Sequence, residues 1–183
     1  LKSVEGNKAG LKPFELMLDQ KKISQRVIQL GERISADYTG ESLVLVGVLK
    51  GCIVFMADLM RYIKVPVEIE FISAASYRHG IRREDDVVIG GGVSIPLKGR
   101  NVLVVEGIVD TGRTASVIVE KIRKMEPASV EVVTLLDKPA SHRVDIDIKY
   151  KGFTIGNEFV IGFGLDNAQL YRNLPFIGRM IEG

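Results

Sequence analysis

The residues best suited to chemistry lie between Val102 and Ala115. Val102-Leu103-Val104-Val105 is apolar, Glu106 and Asp110 then bring two acids, and Thr111-Gly112-Arg113-Thr114-Ala115 turns into a helical pattern. Backbone N–H groups at a helix N-terminus, aided by the helix dipole and two Thr hydroxyls, bind a phosphate. Gly112 lets the backbone approach closely. The carboxylates of Glu106 and Asp110 repel a phosphate, so they suit sugar hydroxyls, a metal ion or proton transfer. Asp110 and Thr111 read equally well as helix caps. Neither a Gly-x-x-x-x-Gly-Lys-Ser/Thr loop nor a properly placed Gly-x-Gly-x-x-Gly competes with this turn.

The elements that position these residues alternate in type. Ile23, Val27, Leu30 and Ile34 form one stripe of a helix predicted over Phe14 to Tyr38. Leu43 to Leu49 is nearly continuously apolar, the mark of a strand buried on both faces of a parallel sheet. A helix over Gly51 to Ile63 and a strand over Val67 to Ile72 follow. After the strand beginning at Asn101, a helix is expected from Gly112 to Met125, with Ala115, Ile118, Ile122 and Met125 on one face, then a strand over Val130 to Leu136. This order predicts an α/β fold, an open, mostly parallel twisted sheet with helices on both faces and ligands at the carboxyl ends of its strands. Arg78 to Asp86 is charged and non-periodic, a solvated hairpin loop or a mobile lid, and Val87 to Gly92 reads as the second arm of a flexible ribbon.

Composition narrows the field of functions. The 183 residues fit one domain, with 46% hydrophobic and 26% charged residues. A net charge of +2, no Trp and 7% aromatics offer neither a nucleic-acid footprint nor stacking platforms for single strands. No apolar run approaches the ~20 residues that span a bilayer. Cys52 is the sole cysteine, which excludes an intrachain disulfide and a cysteine zinc site and fits a reducing, cytoplasmic setting. It reads as a buried structural thiol. No signal peptide is legible, and Met180-Ile181-Glu182-Gly183 carries no address signal. His79 and His142 have no partner at ligand spacing and read as non-ligands.

Val102 to Ala115 resembles the phosphoribosyl-pyrophosphate motif of the type I phosphoribosyltransferases. Further segments resemble the hypoxanthine-guanine branch of that family: Leu49-Lys50-Gly51, Phe55 to Leu59, Ser76-Tyr77, Leu136-Asp137-Lys138-Pro139, Gly152-Phe153, Glu158 to Gly162, Gly164-Leu165-Asp166 and Tyr171 to Pro175. The matches run in order from about Val44 to Ile177. The resemblance implies one phosphoribosyltransferase domain over 1–183, with a core over about 40–150, a small hood from about 1–39 and 151–183, and a lid over about 76–95.

It also implies a reaction. A 6-oxopurine displaces pyrophosphate from phosphoribosyl pyrophosphate through an oxocarbenium-like transition state, giving a nucleoside 5′-monophosphate. By resemblance, Thr111, Gly112, Arg113 and Thr114, with Asp110, hold the 5′-phosphate, and Asp110 is the general acid/base at the purine N7. Glu106 binds ribose hydroxyls. Lys50, Gly51 and Arg172 hold pyrophosphate, with a cis peptide expected before the lysine. Lys138, Phe159, Val160 and Asp166 form the purine site, Lys138 donating to O6, Phe159 stacking and Val160 offering main-chain groups. Asp166 and Glu106 would serve Mg²⁺, and Ser76 and Tyr77 would lead the lid. A homodimer or homotetramer is implied. Outside these motifs, Lys50, Lys138 and Arg172 read as solvated charges and Phe159 as core.

One position departs from the family pattern of two adjacent acids: Glu106 is followed by Gly107. Loss of a charged hydrogen-bond partner costs about 1.5–3 kcal/mol. The expectation is an active enzyme with weakened use of its sugar donor. The alternative is a regulator of the same fold that senses phosphoribosyl pyrophosphate without catalysis.

Overall fold

The central strands of the main sheet are the most apolar runs in the chain. In the computed structural model, which describes residues 13–76 and 87–181, β2 (Leu43–Leu49) and β5 (Asn101–Val109) pair in parallel with nearly every side chain buried. β3 (Val67–Ser76) joins β2, and β6 (Ser129–Asp137) followed by β7 (Tyr150–Thr154) extends the other side, all parallel. β4 (Val87–Gly90) runs antiparallel to the end of β3, so the sheet order is β4-β3-β2-β5-β6-β7. Ser76 ends β3, whereas Tyr77 and the charged stretch to Asp86 lie outside the described residues.

Helices cover both faces, as the strand pattern requires. α1 (Gln20–Asp37) and α2 (Ile53–Leu59) pack on one face, where Ile23, Val27, Leu30, Ile34, Phe55 and Leu59 meet Leu45 and Leu103. α3 (Arg113–Arg123) packs on the other through Ala115, Ile118 and Ile122 against Val104 and Val132. Full burial of such aliphatic side chains stabilises by roughly 1.5–3 kcal/mol each.

Three sequence expectations shift. Phe14 to Leu18 is not helical but forms β1 (Phe14–Leu18), because it pairs with β9 (Ile177–Met180) and Phe14 packs against Tyr171 and Phe176. The helix starts only after Asp19, whose carboxylate accepts from the Lys22 N–H at 2.8 Å. α2 stops at Leu59, where the chain tightens through Tyr62 N–H to the Leu59 carbonyl. α3 stops at Arg123, leaving Met125 exposed rather than on the packed face.

A second sheet, β1-β9-β8, contains β8 (Val160–Ile161) and is built from both ends of the chain. Helix α1 and strand β7 belong to the main sheet's layers rather than to this small sheet. Among the described residues, no helix is long and apolar enough to cross a membrane.

Candidate active site

Parallel register sets the geometry of the site. Val109 on β5 lies opposite Asp137 on β6, so Asp110 and Lys138 leave the sheet side by side at its carboxyl edge. Lys138 N–H donates to the Val109 carbonyl at 2.9 Å, and Lys138 Nζ stands 3.4 Å from Asp110 Oδ2. The lysine side chain is only 7% exposed and the aspartate 51%. Lys138 is therefore not a solvated strand-end charge.

Beyond Asp110 the chain makes the turn foreseen from its sequence. Gly112 is the N-cap of α3 with φ of 79°, a left-handed conformation that favours glycine, and no side chain caps the helix. The capping alternative for Asp110 and Thr111 is thus not realised. Thr111, Arg113 and Thr114 are half-buried around an uncapped helix N-terminus whose first N–H groups lack intrahelical partners. Val144 and Ile146 pack beneath Gly112.

Glu106 lies inside β5, buried, with no hydrogen-bond or ion-pair partner among the described residues. Desolvation pushes its carboxyl up to about 8. Cys52 lies close enough to feel its charge. Burial first, and Glu106 second, push that thiol up to about 12, so it is an inert buried thiol.

A second cluster joins two distant loops. The Leu49–Lys50 peptide is cis, as expected. Lys50 Nζ donates to Gln169 Oε1 at 3.3 Å, and Arg172 Nη2 donates to the same oxygen at 3.2 Å. Arg172 also reaches Asp166 Oδ1 at 2.8 Å and the Gly164 carbonyl at 2.8 Å. Asp166 Oδ2 accepts from the Gln169 N–H. Phe163, Ala168, Gln169 and Tyr171 hold positive φ values, a concentration of strained backbone in one loop. Gln169, which bridges both cations, was missed on sequence because nothing local marks it.

The carbonyl oxygen of Gly51 is seated between two glycines. A Cβ on Gly107 would stand 2.5 Å from it, and one on Gly164 2.6 Å. The space beside Glu106 that a second acid would occupy is filled by backbone. Phe159 is 48% exposed, so its ring is not core, while Val160 is buried in β8. Among the described residues, no three His, Cys, Asp or Glu side chains could enclose a metal ion. Glu106 and Asp166 nonetheless supply oxygen donors of the kind Mg²⁺ takes when substrate phosphates complete its shell.

Sequence reasoning also missed Asp137. Its buried carboxylate takes His142 Nε2 at 2.8 Å and Lys151 Nζ at 3.1 Å, the latter at an angle that makes an ion pair rather than a hydrogen bond. An acid ending an apolar strand was the available signal.

A mostly parallel sheet with a lysine–aspartate pair and an uncapped helix N-terminus at its carboxyl edge has the layout in which α/β proteins seat their ligands. The phosphoribosyl transferase domain profile matches residues 15–168. The chain belongs to the phosphoribosyltransferase family. It is 41% identical over 169 residues to the hypoxanthine phosphoribosyltransferase of Salmonella typhimurium strain LT2, covering 91% of this chain and 95% of that protein. It is 41% identical over 168 residues to the hypoxanthine-guanine phosphoribosyltransferase of Streptococcus pneumoniae strain R6, covering 92% and 93%. A tetragonal crystal structure of a Staphylococcus aureus hypoxanthine phosphoribosyltransferase superposes with a TM-score of 0.86 at 40% identity, covering 91% of each chain.

Proposed function

We propose that this enzyme transfers the phosphoribosyl group of phosphoribosyl pyrophosphate to a 6-oxopurine, hypoxanthine, guanine or xanthine, releasing pyrophosphate and a nucleoside 5′-monophosphate in purine salvage. The observation that carries this reading is the Lys138–Asp110 pair beside the uncapped start of α3. It sets a hydrogen-bond donor and a proton acceptor within one substrate's reach of a phosphate cradle.

In this reading Thr111, Gly112, Arg113 and Thr114, with Asp110, hold the 5′-phosphate through main-chain and hydroxyl donors. Lys138 donates to O6, Phe159 stacks on the ring, and Val160 and Asp166 complete the purine site. The purine nitrogen attacks the anomeric carbon as the bond to pyrophosphate breaks. Asp110 manages the proton at N7. Lys50, Gly51 and Arg172 receive pyrophosphate, Arg172 exchanging its contact with Asp166 for the incoming anion. Glu106 accepts from ribose hydroxyls. Mg²⁺, held by Asp166 and Glu106 with substrate oxygens, would neutralise pyrophosphate charge. Ser76 and Tyr77 lead a lid, over about 76–95, that keeps water from the cation-like centre.

The domain spans the whole chain, with α1 and β7 in the core and the hood confined to the small sheet β1-β9-β8 and its loops. A cytoplasmic setting accords with the single buried thiol. Assembly as a homodimer or homotetramer is supported by Ile69 and Phe71, exposed on one face of β3.

Steady-state assays with hypoxanthine, guanine and xanthine in Mg²⁺ test the reading, run on the wild type and Asp110→Asn. Pyrophosphate release with at least one base, collapsing in the variant, supports it. Ligand binding without release would instead favour the sensing regulator.

A further inference from the structure

We infer that His142 is a positioning residue for the purine site, acting through Asp137. The inference rests on the transferase reading and extends it to residues behind the site.

Asp137 is the last residue of β6, and Lys138 follows it at the start of the next turn. Lys138 reaches forward to Asp110. Asp137 is 1% exposed and held from behind by His142. A carboxylate only accepts, so Nε2 is the donor of this 2.8 Å bond. The bond closes a one-turn 3₁₀ helix, Pro139–Ser141, directly after the lysine. In that turn Ser141 N–H donates to the Lys138 carbonyl at 2.9 Å and His142 N–H to the Pro139 carbonyl at 3.3 Å.

The same turn touches the other subsites. Arg143 N–H donates to the Thr111 carbonyl at 3.0 Å, which ties it to the phosphate turn. Ser141 Oγ donates to Asn157 Oδ1 at 2.8 Å, two residues before Phe159. His142 is thus the side chain that anchors a short link between the lysine, the phosphate turn and the aromatic ring. Lys151 supplies the second positive charge to Asp137, but its side chain is half exposed and makes no hydrogen bond to the carboxylate, so it cannot fix the geometry alone.

Removal of the imidazole should loosen the placement of Lys138 without removing any group that touches substrate. Purine binding then weakens in the ground and transition states alike. Kinetics of the full chain test this with His142→Ala, His142→Gln and Asp137→Asn. Gln carries an amide donor where Nε2 stands. His142→Ala should raise the purine KM about tenfold with kcat within twofold, and His142→Gln should return KM to within threefold of wild type. Should the alanine variant fail to fold, Asp137→Asn supplies the same split, a purine KM raised several-fold at near-normal kcat.

A merely structural role predicts the reverse, a lower kcat from fewer active molecules at unchanged KM, and that result overturns the inference. So does a purine KM within twofold of wild type in His142→Ala. A wild-type chain that turns over no purine overturns the transferase reading itself.

Discussion

Lys138 Nζ lies 3.4 Å from Asp110 Oδ2, and the two residues come from adjacent parallel strands in matched register. The lysine is nearly buried, and Asp110 is the counter-charge the structure gives it. Breaking the pair from either side should therefore separate two effects. Asp110→Asn removes the proton acceptor and should lower kcat by about 10²–10⁴-fold, the usual worth of general acid/base catalysis. Lys138→Met removes the donor and should raise the purine KM, since a hydrogen bond to a charged group is worth about 1.5–3 kcal/mol, roughly 10- to 100-fold. Steady-state kinetics with the purine varied at saturating donor checks both. Equal kcat loss in the two variants would show that they do not hold these separate roles.

The seat of Gly51 changes what a substitution at Gly107 can do. An acid at position 107 would complete the family pattern of two adjacent acids, yet any Cβ there meets the Gly51 carbonyl at 2.5 Å and Leu165 Cδ2 at 3.2 Å. The neighbour is backbone, so the loop bearing Lys50 must move. Overpacking of this kind costs about 1–3 kcal/mol. Gly107→Ala should lower the melting temperature and raise the KM for phosphoribosyl pyrophosphate. Gly107→Asp should be equally destabilised but recover part of the donor KM through its carboxylate. An aspartate variant as stable as wild type would mean the loop yields freely.

Glu106 gives the protein a pH dependence whose sign is fixed by burial. The folded state keeps the carboxyl proton up to about 8, whereas the ordinary value is 4.5. Between those values the folded state binds more protons than the unfolded chain, so stability falls as pH rises. The contribution is complete below about 4.5 and lost as pH climbs through about 8. Each unit corresponds to about 1.4 kcal/mol. Melting temperatures from pH 5 to 8 in chelating buffer should fall more steeply for wild type than for Glu106→Gln, which mimics the protonated acid. Parallel curves would rule the ionisation out.

How far the sequence could be read depends on whether a feature is local. β2 was legible over its full length because burial on both faces leaves no polar position from Leu43 to Leu49. The turn at Gly112 was legible because glycine, threonine and arginine follow a strand directly. β1 was not, because Phe14–Leu18 owes its extended form to β9 at the far end of the chain. Lys50 and Arg172 were each named by motif, but Gln169, which joins them, carries no local signal. The seat of Gly51 depends on the meeting of two loops with β5, which residue spacing cannot express.

Cys52 offers a test of how closed this centre is. Its thiol is buried beside Gly47 of β2 at the start of α2, and desolvation with the nearby Glu106 charge pushes it up to about 12. At pH 8 the native protein therefore holds almost no thiolate, the reactive form. A disulfide reagent such as dithionitrobenzoate should label the native chain far more slowly than the guanidinium-unfolded chain, in which one thiol per chain reacts promptly. The labelling rate should rise in Gly107→Ala, because displacing Gly51 shifts the backbone that leads directly into Cys52. Fast labelling of the native wild type would show that the loop already opens frequently, and that Gly107 does not hold it shut.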